Sequence, residues 1–402
     1  MSGSPFLPYG RQSIDDDDVQ AVADALKQDF LTTGPLVARF EEAFAAKVGA
    51  KHAICCNSGT AGLHLAVLAA GFAPGEVAVV PSITFLATAN AVRYVGGEVA
   101  FADVDPESGL ITEATLAEAL VRIEAQGKKA KAVLPVHLKG VPADMRALST
   151  IAGKMGLMVI EDAAHAVGTV YGNGHHRVGD NAHAAMTVFS THPVKTMTTG
   201  EGGVVTTESE DLARALRRFR SHGMVANPAE WLLPDQGFAD GAPAPWYYEM
   251  GEPGFNYRLP DINCALGLSQ LTKLDGFIRR RAELVALYDR LLAPLAPLVR
   301  APWRPRDAEP AWHLYAVQID FAAAGQSRVD LMRKLRADGI GTQVHYIPVH
   351  WQPYYRQRYG NLSLPGADAF YAGTLSLPLY PALRDEDVER VVERVSWHLA
   401  HP

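Results

Sequence analysis

From Phe40 to about His222, short β-favouring apolar runs alternate with longer stretches of helical period. The runs predict strands over His52–Cys56, Val77–Pro81, Val99–Val104, Ala132–His137, Leu157–Asp162, Ala185–Ser190 and Gly203–Thr207. Between them, helical spacing covers Thr60–Ala70, Phe85–Val95, Thr115–Ile123 and Met145–Met155, the last with Asp144 as its cap and Gly156 as its stop. Such alternation argues an α/β fold: a mostly parallel seven-stranded sheet with helices on both faces.

The residues up to about Pro35 read as an arm and a helix, and Asp15-Asp16-Asp17-Asp18 as the acidic first turn of that helix. The stretch from Asn227 to Pro253 breaks the pattern. Rich in Pro and Gly, with exposed-looking Trp231, Trp246 and Tyr247, it reads as a long functional or interface loop. A helical pattern then runs from Asp261 to about Leu292. It leads into a smaller α+β region with strands over Trp312–Ile319 and Thr342–Tyr346 and helices over Val329–Asp338 and Asp385–Leu399. The expected division is 1–260 for the large domain with its arm and 261–402 for the linking helix and C-terminal domain.

Three strand-to-loop junctions carry candidate chemistry. Lys195 follows the run Ala185–Phe189 and precedes Thr196-Met197-Thr198-Thr199-Gly200-Glu201-Gly202-Gly203. Desolvation at the end of a buried strand disfavours an ammonium and favours a nucleophilic amine. Taken alone, the segment reads better as a surface lysine in a glycine loop. Asp162 ends the apolar run Leu157–Ile160, where ligands of open α/β sheets bind, although a helix N-cap is equally consistent. His165 fits a packed histidine as well as a functional one. Ser58-Gly59-Thr60 opens a helix after a strand, a ready site for a dianion, but serine and threonine start many helices without a ligand. Phe85 at a fourth junction suits stacking on a flat ring or a place in the core. A lysine and a carboxylate so placed suit pyridoxal phosphate (PLP) chemistry.

These segments, with Leu31-Thr32-Thr33-Gly34-Pro35, Gly254-Phe255-Asn256-Tyr257-Arg258-Leu259-Pro260-Asp261 and His345-Tyr346-Ile347-Pro348-Val349-His350, resemble the DegT/DnrJ/StrS-type nucleotide-sugar aminotransferases over nearly the whole chain. The resemblance implies the aspartate aminotransferase fold, fold type I of PLP enzymes, and PLP as cofactor. It implies Lys195 as the Schiff-base lysine and proton shuttle, Asp162 as partner of the pyridinium nitrogen, Phe85 on one ring face and His165 on the other side. Gly59, Thr60 and Ser190 would hold the phosphate. Asn256 would reach the phosphate of a neighbouring subunit, and Arg258 would cross into the same site. Thr33, His345 and Tyr346 would serve the sugar side.

Within the family, His165, His192-Pro193-Val194-Lys195 and Trp246-Tyr247-Tyr248-Glu249-Met250 are similar to the pseudaminic-acid branch. That implies transfer of an amino group from L-glutamate to the C4 ketone of a UDP-linked 4-keto-6-deoxy-HexNAc by a homodimer with shared sites. C3-aminating and perosamine-type relatives, or a PLP-binding regulator, are the alternatives. Lys195 argues against the dehydratases of this fold, which generally carry histidine there. A dinucleotide-dependent oxidoreductase lacks support, because Gly172-Asn173-Gly174 follows no strand-to-helix fingerprint.

Composition narrows the setting. Lys+Arg 37 against Asp+Glu 44, with no basic run, gives no basis for a nucleic-acid or anionic-membrane partner. Three cysteines, two adjacent in a predicted buried strand, suit a reducing compartment. With no apolar stretch long enough to span a bilayer, the chain reads as a cytoplasmic enzyme. No metal site is expected.

Overall fold

The computed structural model describes residues 5–402. Its centre is a seven-stranded sheet built from β1 (His52–Cys56), β2 (Val77–Pro81), β3 (Glu98–Ala102), β4 (Ala130–Val133), β5 (Met158–Asp162), β6 (Met186–Ser190) and β7 (Gly203–Thr207). The order is β1-β7-β6-β5-β4-β2-β3, and only β7 runs antiparallel to its neighbours. Every residue of β2, β6 and β7 is buried, which explains their unbroken apolar character.

Alternate side chains enter opposite cores. Ile54, Cys56, Ala78 and Val80 belong to one apolar cluster; Ala53, Cys55, Val77 and Val79 belong to the other. Helices cover both faces. α1 (Asp16–Ala25) and α2 (Pro35–Val48) precede the sheet, and Phe40 and Phe44 of α2 enter the second cluster. α3 (Gly59–Ala69) and α4 (Leu86–Tyr94) pack on the first, α5 (Glu113–Glu124) and α6 (Met145–Met155) on the second, and α7 (Glu210–Arg220) on the first. Met145–Met155 has its expected bounds: Asp144 accepts from the Ala147 amide at 3.0 Å, and Gly156 takes φ 68°. The acidic run likewise starts α1, with Asp15 as cap, while Asp18 is buried against Gln270 and Lys273.

α8 (Asp261–Leu292) has the length its periodicity predicts. Beyond it, β8 (Val299–Arg300), β9 (Tyr315–Ile319) and β10 (Thr374–Leu377) form an antiparallel sheet backed by α9 (Arg328–Ala337) and, after α10 (Pro353–Tyr359) and α11 (Pro365–Gly373), by α12 (Asp385–Ala400). The first cluster runs on through Tyr315, Val317, Leu331, Val388 and Val391. Each such aliphatic side chain, once fully buried, contributes about 1.5–3 kcal/mol. The N-terminal arm joins this region: the Leu7 amide donates to Gly339 O at 2.8 Å, and the Gly341 amide donates to Leu7 O at 2.7 Å.

Several expectations are corrected. Thr342–Tyr346 is not a strand; only Gln343 pairs, with Ser376, and the following residues turn His345 and Tyr346 toward a cavity. Within the stretch 227–253, read as a long functional or interface loop, short pairings and a buried Trp231 give local order. Met224–Val225 pairs with Glu249–Met250, and Phe238–Ala239 pairs with Ala242–Pro243. Trp231 is buried under Phe238 and Tyr247, whereas Trp246 is 74% exposed. No helix follows Asp162, so its reading as an N-cap fails.

Candidate active site

The carboxyl ends of β1, β2, β5 and β6 lie along one edge of the sheet. The antiparallel course of β7 sets its first residue, Gly203, opposite both Cys56 and Ser190. The loop carrying Lys195 therefore leaves and re-enters the sheet at this edge. A cavity of about 620 Å³ opens there, lined by Gly59, Thr60, Phe85, Asp162, His165, Ser190, Lys195, His345 and Tyr346 among others. Three of the twelve expected site residues, Thr33, Asn256 and Arg258, lie outside it.

Its anion-binding end is the start of α3. Ser58 caps the helix by accepting from the Ala61 amide at 3.1 Å. Gly59 and Thr60 are the first two helical residues, whose amides have no carbonyl within the helix to reach. Gly59 lies so close to Ser190 that a Cβ on it would stand 2.8 Å from Ser190 Cβ. Glycine is thus required for the serine hydroxyl and the helix N-terminus to converge.

Asp162 is buried between two donors. Thr88 Oγ1 donates to Oδ2 at 2.6 Å and the Ala164 amide to Oδ1 at 3.1 Å. Its backbone is clamped by the segment that follows β4: the Asp162 amide donates to Pro135 O at 2.8 Å, and the His137 amide donates to Asp162 O at 3.0 Å. Burial raises the carboxyl above its usual range, against the pull of Thr88, Ala164 and Lys195. Burial also pushes Lys195 down from 10.5 to about 8, against the attraction of Asp162. Lys195 is half-buried, its side chain surrounded by protein while bordering the cavity.

On the other wall stand His165 and Tyr346, with His165 Nε2 3.1 Å from the Tyr346 hydroxyl. Burial, reinforced by the Lys195 charge, holds His165 well below the usual histidine range. His345 is held by Ser376 Oγ at 2.8 Å from its Nδ1 and is pushed down to about 3, first by burial and then by Lys195. Both imidazoles are neutral at pH 7. Phe85 is 54% exposed and faces the cavity, so it is not a core residue.

Phe255 and Tyr257 turn inward to His64, at centroid distances of 4.8 and 5.9 Å, while Asn256 between them is exposed. Arg258 enters no ion pair among the described residues, and its Nε is buried without a partner. Thr33 lies at a turn whose next residue, Gly34, donates to Asp261 Oδ2 at 2.8 Å. Sequence reasoning missed Thr88, Tyr9, Glu201 and Gln343. Only Thr88 left a signal, three residues after Phe85 on the helix that starts at this edge; Tyr9 arrives on an arm whose docking is entirely non-local.

The chain matches the DegT/DnrJ/EryC1/StrS aminotransferase family over residues 12–396. It belongs to this family. It is 40% identical over 394 residues to the spore coat polysaccharide biosynthesis protein SpsC of Bacillus subtilis (strain 168), covering 97% of this chain and 96% of that protein. Among solved structures it is similar to Helicobacter pylori PseC, an aminotransferase involved in the biosynthesis of pseudoaminic acid, with TM-score 0.87 and 28% identity over 99% of this chain and 100% of that one. S. venezuelae DesV superposes with TM-score 0.83 and 31% identity over 98% of this chain and 99% of that one. The chain is an enzyme of PLP fold type I, a sugar aminotransferase.

Aminotransferases of this family use PLP. The cavity's residues fit that group: a buried carboxylate held by two donors, a desolvated lysine, a helix N-terminus closed by Gly59 against Ser190, and a half-exposed phenylalanine ring. Among the described residues no cluster suits a metal ion, and no helix is long and apolar enough to cross a membrane.

Proposed function

We propose that the protein transfers the amino group of L-glutamate to the C4 ketone of a UDP-linked 4-keto-6-deoxy-HexNAc. The nearest reading is the transaminase that forms UDP-4-amino-4,6-dideoxy-N-acetyl-β-L-altrosamine. The observation that carries it is the opposed displacement of Lys195 and Asp162 at one end of the cavity, in a chain of this family. The two groups are tuned for different tasks by their surroundings. Bound PLP supplies an electron sink for negative charge developing on a substrate carbon.

The chain's own residues divide the remaining work. Lys195, with an amine fraction about 300-fold above that of an ordinary lysine at pH 7, takes a proton from the substrate carbon and returns one. Asp162, steadied by Thr88 and Ala164, holds a proton on the ring nitrogen. Gly59, Thr60 and Ser190 bind the phosphate, Phe85 covers one ring face, and His165 stands on the other side. His345 and Tyr346 face the sugar.

Charge balance supports a homodimer with shared sites. The cavity lining includes no arginine and no lysine but Lys195, with Asp162 and Glu201 as acids and its buried imidazoles neutral. Glutamate, a phosphate and a nucleotide diphosphate all need cations or donors. Asn256 and Arg258 do not line their own cavity; they precede the start of α8, whose Asp261 amide meets Leu31 O near the turn of Thr33, and we assign all three to the site of a second copy.

The test is the visible absorbance of the PLP-loaded enzyme. L-Glutamate should abolish it and the UDP-ketosugar should restore it. A band unmoved by glutamate overturns the donor, and one not restored by the sugar overturns the acceptor. Mixing Asn256→Ala with Lys195→Ala chains should recover activity absent from either alone. No recovery after demonstrated subunit exchange overturns the shared site.

A further inference from the structure

The segment between β4 and α6 contains Lys139, a fully buried lysine outside the catalytic cavity. Its backbone has φ 68°, a left-handed conformation that lysine rarely adopts. Four contacts hold it there. Lys139 Nζ donates to Ser108 O at 2.7 Å and lies 5.0 Å from the centre of the Phe370 ring. Its carbonyl accepts from the His313 amide at 2.9 Å. Its own amide donates to His165 Nδ1 at 3.2 Å.

The last contact has a direction. A backbone amide only donates, so Nδ1 of His165 is an acceptor and the single proton of the neutral ring sits on Nε2. Nε2–H then donates to the Tyr346 oxygen 3.1 Å away. With that lone pair engaged by a donor, the phenolic O–H of Tyr346 is free to donate toward the cavity it lines. The His313 ring, 4.4 Å from His165 centre to centre, backs the imidazole and keeps it from turning away.

We propose that Lys139 is a positioning residue: its anchored, left-handed amide locks His165 as the Nε2–H tautomer, and His165 in turn commits Tyr346 to donate a hydrogen bond into the cavity. The substrate group facing Tyr346 is therefore an acceptor oxygen, a sugar carbonyl or hydroxyl. The identity of that group rests on the sugar-aminating reading above; the polarity of the relay does not.

The experiment separates the two. PLP-loaded enzyme labelled with 15N-histidine, with His165 assigned by loss of its signals in His165→Gln, reports the tautomer directly. The wild-type ring should show Nε2–H. Lys139→Met removes the Ser108 anchor and lets residue 139 leave the left-handed region. It should mix the tautomers and slow the sugar half-reaction about tenfold, the worth of one neutral hydrogen bond, leaving the glutamate half-reaction unchanged. Lys139→Gly keeps the conformation without the side chain and should retain the tautomer. An Nδ1–H or doubly protonated His165 in the wild type overturns the proposal, as does an unchanged tautomer in Lys139→Met. Should Lys139→Met fail to fold, the wild-type signal and Lys139→Gly remain decisive: loss of the Nε2–H tautomer in either overturns the proposal. A locked tautomer in an enzyme that does not turn over the UDP-ketosugar would leave the relay standing and reject the substrate instead.

Discussion

Replacing Lys195 by methionine should abolish the activity of the PLP-loaded enzyme and make the cofactor-free fold more stable at pH 7. The folded protein holds the ammonium at about 8 rather than 10.5, because burial penalises the charge more than Asp162 rewards it. The unfolded chain therefore binds the proton more tightly between these values, and stability rises with pH through that window. At pH 7 both states are protonated and the penalty is nearly complete, roughly 3 kcal/mol at about 1.4 kcal/mol per tenfold. Near pH 9.5 about half remains, and above the unfolded value none. Methionine fills similar volume without the charge, so Lys195→Met should gain up to that amount at pH 7. The gain is reduced because Asp162 loses an attractive neighbour. Urea unfolding of both apoproteins at pH 7 and pH 9.5 reads it: the wild type should gain stability between the two pH values, and the variant should gain less. A variant less stable at pH 7, or an advantage independent of pH, would refute desolvation as the cause of the lysine's displacement.

Thr88→Val removes the hydroxyl that donates to Asp162 Oδ2 at 2.6 Å while keeping its shape. A hydrogen bond to a charged group is worth about 1.5–3 kcal/mol, so PLP affinity measured by equilibrium dialysis should fall roughly tenfold to a hundredfold, and affinity unchanged would remove Thr88 from the site. Gly59→Ala places a Cβ 2.8 Å from that of Ser190; PLP affinity should fall at least tenfold by the same assay and recover partly in the Gly59→Ala/Ser190→Gly pair, whereas simple additivity of the two changes would show that they do not touch.

The central sheet was legible because its strands are short, wholly buried apolar runs closed by turn residues. Three of the seven, His52–Cys56, Val77–Pro81 and Gly203–Thr207, have the predicted bounds. Val99–Val104 and Ala132–His137 were drawn too long. Pairing, not hydropathy, ends β3 at Ala102 and β4 at Val133, and the apolar residues beyond are buried by the loops. The Thr342–Tyr346 expectation failed for a related reason: alternating polarity there serves a cavity wall and one bridge to Ser376, not a ladder. Lys195, Asp162, Gly59 and Ser190 could be grouped from the sequence because each stands at or just past a strand end, and the fold brings those ends to one cavity. Tyr9 and Gln343 were not, because each is placed by pairing with a segment remote in sequence: the Leu379 amide donates to the Tyr9 carbonyl at 3.0 Å, and Gln343 bridges to Ser376.

One physical cause runs through the site. Burial moves Asp162 up and Lys195, His165 and His345 down, each toward its neutral form. A wall so arranged eases changes of protonation, which suits the proposed role of Lys195 in accepting and returning a proton near pH 7. It also makes the wall a poor counterion for anions. The helix N-terminus at Gly59 and Thr60 answers for one phosphate through backbone dipoles, which need no titratable group. The further negative charge of the proposed substrates must be met by side chains that are not desolvated in this wall. Arg258 lies outside this wall, and its Nε is without a partner among the described residues. On the proposed reading, neutral chemistry inside the cavity and cationic help from a second chain would follow from the same desolvation.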